Sequence, residues 1–540
     1  MSQPNMPQPD LHEPTLEDFH KLARQYRVVP IWRELLADLT TPVAAFARVV
    51  GNGDGFLLES VEHAERWSRW SFIGRNPIAT LVARGLNVEV KGQLGVEIPH
   101  HSGMLAALEV LLNHYQAPSI EGLPPLHGGL IGYLGYDVVR EVEHLPNTPE
   151  NDSGLPDASM SLIGELAVYD HWRQRATLIC NVLIPPDADD RTIDRLYFGA
   201  VLQIEALAAD GAKPLDEPLM PPPDYASRSN QTGATDRSRE EADLPETTSS
   251  MGLERYSQAV EAVREHIFAG DAFQVVLSQR FDFDLDAEAF DVYRVLRQIN
   301  PSPYMYFLRQ DGLEVVGSSP EPMVKLLDGR VISRPIAGTR RRGTTDAEDR
   351  FLAAELAEHP KEIAEHVMLV DLARNDVGRV VEFGTLNLDE SMTVERYSHV
   401  MHLTSQVSGE LASSASPVDV LRATLPAGTV SGAPKVRAMQ IIDQLEPIKR
   451  GLYAGVVGYI DFSGNIDTAI TIRTMLVCNG QASVQAGAGI VADSVAADEH
   501  AECVNKARAL LAAVPAARRM TRARKQKNLT GLKQVCESQI

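Results

Sequence analysis

The sequence predicts an α+β fold, and two patterns carry that reading. Short apolar runs bounded by glycine or proline recur between residues 15 and 210, and amphipathic helical stretches join strand-like runs between 251 and 515. Length adds a third constraint: 540 residues exceed what one ordinary core fills, so two or more subdomains are expected. A chain that is 44% hydrophobic and 23% charged has the composition of a globular protein in water.

Residues 1–14 are polar and proline-rich, and read as a flexible N-terminus without the apolar core of a secretion signal. In the first block, residues 78–83, 128–136 and 176–184 read as strands. Gly51-Asn52-Gly53-Asp54-Gly55 interrupts the stretch 38–58 and predicts a hairpin turn. Residues 211–250 are rich in Pro, Ser, Thr, Asp and Glu with almost no aromatics. Such a segment cannot bury enough surface to order itself and reads as a disordered linker. The second block, 251–515, opens with an amphipathic helix over 254–268, stopped by Gly270, and a strand over 273–279. Residues 516–540 carry Arg518, Arg519, Arg522, Arg524, Lys525 and Lys527, a basic tail expected to be solvated.

The net charge of −22 argues against a nucleic acid as the main partner. No run of about 18 apolar residues is present, which argues against a membrane partner. Cys180, Cys478, Cys503 and Cys536 are scattered without metal-ligand spacing, as expected for reduced thiols of a cytoplasmic protein. An anionic substrate of so acidic a chain needs cations, or a metal, gathered locally.

Two helical stretches offer carboxylates in pairs. Glu362 and Glu365 stand at i, i+3 in the stretch 361–372, and Glu499 and Glu502 repeat the spacing, with Lys506 one turn on. Facing each other, the pairs suit Mg²⁺, a hard cation that keeps waters or an anionic ligand beside few protein oxygens; each pair alone is also ordinary on a solvated helix. The small residues Gly487-Ala488-Gly489 read as a backbone N–H nest for an anion, or as a tight turn. Arg473, read within a β-branched strand over 469–474, meets either a substrate carboxylate or an internal salt bridge. Arg340, Arg341 and Arg342 end a glycine-containing loop and are compatible with simple solvation.

Together with Ala272-Phe273-Gln274-Val275-Val276-Leu277-Ser278, Gly317-Ser318-Ser319-Pro320-Glu321, Tyr397-Ser398-His399-Val400-Met401-His402 and Pro426-Ala427-Gly428-Thr429, these stretches resemble the chorismate-utilising enzymes. Within them the likeness is to the anthranilate synthase large subunits, component I, and it covers the second block and parts of the first. The resemblance implies the chorismate-binding fold, with β-sheets in a sandwich flanked by helices. It implies a tryptophan-regulatory first block and a catalytic second block. Glu365 and Glu502 would bind Mg²⁺, supported by Glu362 and Glu499. The ring carboxylate of chorismate would meet Mg²⁺, Lys506 and Gly487 to Gly489, and the enolpyruvyl carboxylate would meet Arg473 and Tyr453. Gly338, Thr339 and Thr429 would line the ring, near Gln274. Glu321 would protonate the leaving hydroxyl, His402 would serve the second step, and Thr429 would be a further catalytic residue.

The same resemblance separates sister reactions. Gln274 stands where isochorismate and salicylate synthases carry a water-activating lysine, and Ala337 where many aminodeoxychorismate synthases carry a nucleophilic lysine. Both absences favour ammonia attack and anthranilate as product. Leu58, Glu59 and Ser60, with Pro303, Tyr304 and Met305, match the family's pocket for L-tryptophan as feedback inhibitor. No Gly-x-Cys-x-Gly elbow occurs, so ammonia is expected from a separate glutamine amidotransferase subunit, component II. The alternatives are an aminodeoxychorismate synthase component I lacking the lysine, and a non-catalytic chorismate or tryptophan sensor.

Overall fold

The computed structural model describes residues 11–60, 69–218, 220–221, 244–397 and 400–537, with side chains to 527. Residues 1–10 of the expected flexible N-terminus, 222–243 of the expected linker, and Ser398 and His399 of the Tyr397 motif lie outside the described residues. Among the described residues the strands form two antiparallel sheets, of twelve and eleven strands. The first runs Val28–Leu36, Arg175–Leu183, Glu165–Asp170, Trp70–Arg75, Gly55–Glu59, Tyr304–Gln310, Leu313–Ser319, Thr474–Cys478, Gln481–Ile490 and Gln274–Asp284. Thr248–Ser249 and Gly432–Ala433 also pair with the last of these. The second runs Ile336–Arg341, Val400–Glu410, Arg330–Ser333, Pro322–Leu327, Ile466–Ile470, Val456–Asp461, Gly129–Leu134, Ala158–Leu162, Ala79–Arg84 and Asn87–Gly92. Asn387–Arg396 pairs with Val400–Glu410.

The period-2 alternation of strands sorts their side chains into layers. Phe56 and Phe72 point between the sheets, where they meet Tyr133, Val168, Tyr306 and Val457. Leu57 and Ile73 point outward, beneath Phe46 and Val201 of the Pro42–Val49 and Asp190–Gly211 helices. The Gly103–His114, Pro360–Gly378 and Pro417–Thr424 helices cover the outer face of the second sheet. Each large side chain so buried contributes about 1.5–3 kcal/mol. The result is the sandwich flanked by helices that the resemblance implies.

Several local expectations meet the structure closely. The strands expected at 78–83, 128–136 and 176–184 are Ala79–Arg84, Gly129–Leu134 and Arg175–Leu183. The helix expected at 254–268 is Gly252–Phe268, ended by left-handed Gly270 at φ 83°.

Four expectations are corrected. The two blocks do not form separate cores. Gly55–Glu59 pairs with Tyr304–Gln310, and Gly129–Leu134 with Val456–Asp461, so both hydrogen-bond ladders run from one block into the other. Left apart, each block would expose an unpaired strand edge. The 51–55 turn makes no hairpin, because it follows the Pro42–Val49 helix, which Thr41 caps by accepting from Ala44 N–H. The described ends of the 211–250 segment are packed: Gly211 ends a helix, Glu217 binds Arg294 and Arg524, and Thr248–Ser249 extends the first sheet. The basic tail is the helix Val514–Glu537, whose Arg518 and Arg524 pair with Asp286 and with fully buried Asp291. An acidic body gives those arginines partners that composition does not reveal. Among the described residues no helix is long and apolar enough to cross a membrane.

Candidate active site

Two helices and both sheets converge on one cleft. The Pro360–Gly378 helix buries His366, Leu369, Ala373 and Val377 at helical spacing, which leaves Glu362 and Glu365 along one flank. The Ala496–Leu511 helix buries Cys503, Ala507 and Leu510, with Glu499, Glu502 and Lys506 beside them. Glu365 accepts a long hydrogen bond from Gln274 Nε2 at 3.5 Å. Burial raises the Glu365 carboxyl above its ordinary range, and the charges of Glu362 and Glu502 add to that. Glu499 is raised in the same way, by burial and then by Glu502.

Two of these four carboxylates have internal cations. Arg340 binds Glu362 at 3.0 Å as well as Glu355, and Lys506 binds Glu502 at 2.7 Å. Arg341 and Arg342 pair with Glu348 and Asp349, so the arginines of this loop are ion-paired, which simple solvation did not anticipate. Among the described residues no three His, Cys, Asp or Glu groups stand close enough to enclose a metal. The donor set still fits a hard divalent cation. Such an ion needs only two protein carboxylates when waters and an anionic ligand complete its shell, and Glu365 and Glu499, raised first by burial and further by the charge of Glu502, make no ion pair among the described residues.

The glycines 487 and 489 do not form a nest. They lie in the extended strand Gln481–Ile490, opposite Ser278 and Val276, and neither has the positive φ that a nest requires. Their role is clearance: a Cβ at Gly487 would sit 2.7 Å from Tyr453 Oη, and one at Gly489 2.6 Å from Gln274 Nε2. Lys506 Nζ donates to the Gly487 carbonyl at 2.9 Å. Arg473 is corrected too, since it stands in the loop between Ile466–Ile470 and Thr474–Cys478, left-handed at φ 50°. It makes no ion pair among the described residues, so the internal salt bridge is not realised. Burial lowers its pKa, which the charge of Glu502 partly offsets.

Glu321 follows the strand Leu313–Ser319 and is held by its backbone, its carbonyl accepting from Ile470 N–H at 3.0 Å. Burial pushes its carboxyl up to about 7, with Thr429 and the charge of Lys506 lowering it somewhat. Thr429 lines a cavity of about 40 Å³ with Glu321, and its buried hydroxyl closes no hydrogen bond of good geometry among the described residues. His402 Nδ1 lies 3.0 Å from the carbonyl of Gly338, a left-handed bulge residue at φ 63°, and 3.1 Å from Thr339 Oγ1. A carbonyl only accepts, so Nδ1 carries the hydrogen and neutral His402 keeps its lone pair on Nε2. Burial lowers the His402 pKa, and nearby Arg473 does the same.

Contacts and charge effects link Gln274 to Glu365, Glu365 to Glu362 and Glu502, Glu502 to Arg473, Arg473 to His402, and Lys506 to Glu321, whereas Ala488 is buried in a core with Val275 and Cys503. One feature has no signal in the sequence: the buried pair Arg450–Glu446, at 2.6 Å, lies behind Tyr453 and fixes Ser278 through Glu446. The six expected effector residues also converge. They line a cavity of about 110 Å³ with Trp70, Tyr306, Lys325 and Asp467. Ser60 Oγ is buried there without a hydrogen-bond partner among the described residues. Glu59 lies one residue out of phase with Leu58, and its carboxylate turns to Tyr293 Oη at 2.6 Å and Arg297 at 2.9 Å.

The chain matches the chorismate binding enzyme family over residues 56–512. Anthranilate synthase component 1 of Acetivibrio thermocellus is 42% identical over 505 residues, covering 93% of this chain and 98% of its own. The same component from Mycolicibacterium smegmatis is 46% identical over 508 residues, covering 93% of both chains. The crystal structure of anthranilate synthase component I from Streptococcus pneumoniae superposes with a TM-score of 0.70 at 33% identity, covering 88% of this chain and 98% of that one. With the cleft described above, these likenesses place the chain in the chorismate-binding enzyme family, among the anthranilate synthase component 1 proteins.

Proposed function

We propose that this cleft converts chorismate and ammonia into anthranilate, pyruvate and water, by way of 2-amino-2-deoxyisochorismate, in the first step of tryptophan synthesis. The observation that carries the reading is Glu321, a carboxyl that burial pushes up to about 7 beside the cleft lysine. Loss of a ring hydroxyl needs a proton donor, and a dianionic substrate would hold Glu321 protonated to still higher pH. Ammonia bonds to C2, the C4–O bond breaks, and the departing oxygen takes the Glu321 proton to leave as water. The added nitrogen releases one proton. In the second step the C2 proton passes to His402 Nε2, the C3–O bond breaks, and the enolpyruvate takes up a proton to become pyruvate.

Arg473 forms no ion pair among the described residues and suits the enolpyruvyl carboxylate, together with Tyr453. Lys506 and the bared strand at Gly487, Ala488 and Gly489 suit the ring carboxylate. Gly338, Thr339 and Thr429 border the ring, and Gln274 stands at its edge. Mg²⁺ would be held by Glu365 and Glu502, with Glu362 and Glu499 behind them, and would supply positive charge for the ring carboxylate. Gln274 and Ala337 offer no amine for water activation or covalent attack, which favours ammonia over both sister reactions.

L-tryptophan is read as the feedback inhibitor in the 110 Å³ cavity, against Leu58, the Glu59 backbone, Ser60 and Pro303 to Met305. A component II glutamine amidotransferase supplies the ammonia. In support, burial pushes the Cys180 and Cys503 thiols up to about 12 and about 11, the opposite of an activated nucleophile. The enzyme is read as cytoplasmic, without nucleic-acid or membrane partners. The test is the isolated chain with chorismate, Mg²⁺ and ammonium at alkaline pH. Fluorescent anthranilate is expected; isochorismate or 4-amino-4-deoxychorismate as sole product contradicts the reading.

A further inference from the structure

The strand Leu313–Ser319 lies between the wall of the effector cavity and the loop that carries Arg473. On one side Ser318 is opposite Met305, and on the other Gly317 is opposite Thr474. Ser318 is fully buried and bonds in both directions. Its hydroxyl lies 2.5 Å from the Asn300 carbonyl and 2.9 Å from Ser302 Oγ, while its backbone N–H donates to the Arg473 carbonyl at 3.1 Å. A serine hydroxyl has one hydrogen. It is shared between the Asn300 carbonyl and Ser302 Oγ, both of which accept from Ser318. Asn300 and Ser302 lead directly into Pro303, Tyr304 and Met305 of the cavity.

A second contact meets the same loop. Tyr306, which lines the cavity, donates to Thr474 Oγ1 at 2.6 Å, and Thr474 in turn donates to the Ile472 carbonyl at 2.9 Å. Arg473 and Thr474 are therefore held directly by the neighbouring strand and the cavity wall, and Ile472 is held in turn by Thr474. Between them Arg473 keeps a left-handed backbone that an arginine adopts only when its surroundings impose it. Its guanidinium forms no ion pair among the described residues and feels Glu502 only as a nearby charge.

We propose that Ser318 is a positioning residue: it sets Arg473 for the carboxylate of its substrate and transmits the state of the effector cavity to that arginine. The inference rests on the reading of Arg473 as a chorismate ligand and of the cavity as an amino-acid site. A loop displaced through Asn300 and Ser302 has a direct hydrogen-bonded path to the Arg473 backbone. Ser318 itself touches neither ligand.

The test compares the full-length wild type with Ser318→Ala and Ser302→Ala. Tryptophan binding is measured by calorimetry with and without chorismate, in the absence of ammonia, and steady-state kinetics are measured with ammonium. Reciprocity requires each ligand to change the other's affinity by one factor. In the wild type that factor is expected at about fivefold or more. In Ser318→Ala it falls toward one, and KM for chorismate rises several-fold while kcat stays within about twofold, a split that a general loss of folding would not give. In Ser302→Ala, which keeps the Ser318 bond to Asn300, the factor falls while KM is retained. If both variants keep the wild-type factor and Ser318→Ala keeps its KM, the inference is overturned, while a wild type that makes anthranilate and binds tryptophan leaves the functional reading standing. A wild type that neither turns over chorismate nor binds tryptophan overturns both.

Discussion

The candidate active cleft and the cavity lined by Ser60 and Met305 lie on either side of one strand, yet they treat their charges in opposite ways. In the cavity, Asp467 is matched by Lys325 at 2.8 Å and Tyr304 at 2.9 Å, and Glu59 by Arg297 and Tyr293. In the cleft, Glu321, Glu365 and Glu499 are all raised by burial, and Arg473 forms no ion pair among the described residues, its burial only partly offset by the charge of Glu502. A self-neutralised cavity binds by shape and a few hydrogen bonds. A cleft left with unbalanced charge is completed by its substrate and cation, and stores destabilisation until they arrive.

That contrast ranks the effects of substitution. Glu321→Gln removes the proton donor and keeps the shape, so kcat for anthranilate formation with ammonium is expected to fall by about 10²–10⁴-fold. A fall of less than tenfold would move the acid elsewhere. Glu365→Gln and Glu502→Gln come next. Each is expected to weaken activation by Mg²⁺ by roughly 10–100-fold or more, read from metal titrations of activity; an unchanged titration would remove that residue from the ligand set. Gly489→Ala would place a methyl against Gln274, and is expected to cost on the order of 10²-fold in kcat/KM with the fold preserved by circular dichroism. The smallest effect belongs to the cavity. Ser60→Ala removes one neutral hydrogen-bonding group, so half-inhibition by tryptophan should shift by only about two- to tenfold. A shift of a thousandfold would mean that the cavity, like the cleft, depends on unbalanced charge.

Most of the cleft was legible because its signals are local. Helix formers at a 3.6 period announce the helices of Glu362, Glu365, Glu499 and Glu502, and the resemblance assigns Glu321 and His402. What the sequence hides are properties of pairing. The Gly487 stretch reads as a nest until its ladder to Ser278 is seen, because a glycine pair looks the same in a turn and in a strand that must stay bare. Arg473 sits among β-branched residues that argue for a strand, and its left-handed bend appears only in a loop held by non-local contacts, those from Ser318 and Tyr306 among them. The joining of the two blocks through Gly55–Glu59 and Tyr304–Gln310 pairs strands more than two hundred residues apart, for which no local pattern exists. The tail arginines looked solvated because Asp286 and Asp291 are equally remote in sequence.

Burial that keeps Glu321 protonated for its proposed role must also show in the folding stability of the chain. A carboxyl raised from its ordinary 4.5 to about 7 binds its proton more tightly in the folded state. Its contribution is fully present below pH 4.5 and is lost as pH rises through about 7, a loss of about 3 kcal/mol. Urea unfolding of the wild type and Glu321→Gln, measured in parallel from pH 4.5 to 8.5, isolates this group because the others titrate in both. The account predicts that the variant gains on the wild type between pH 4.5 and 7, by up to about 3 kcal/mol, and that the gap is level above that. Parallel curves across the whole range would show a carboxyl that is ionised like any other, and would contradict its assignment as the acid.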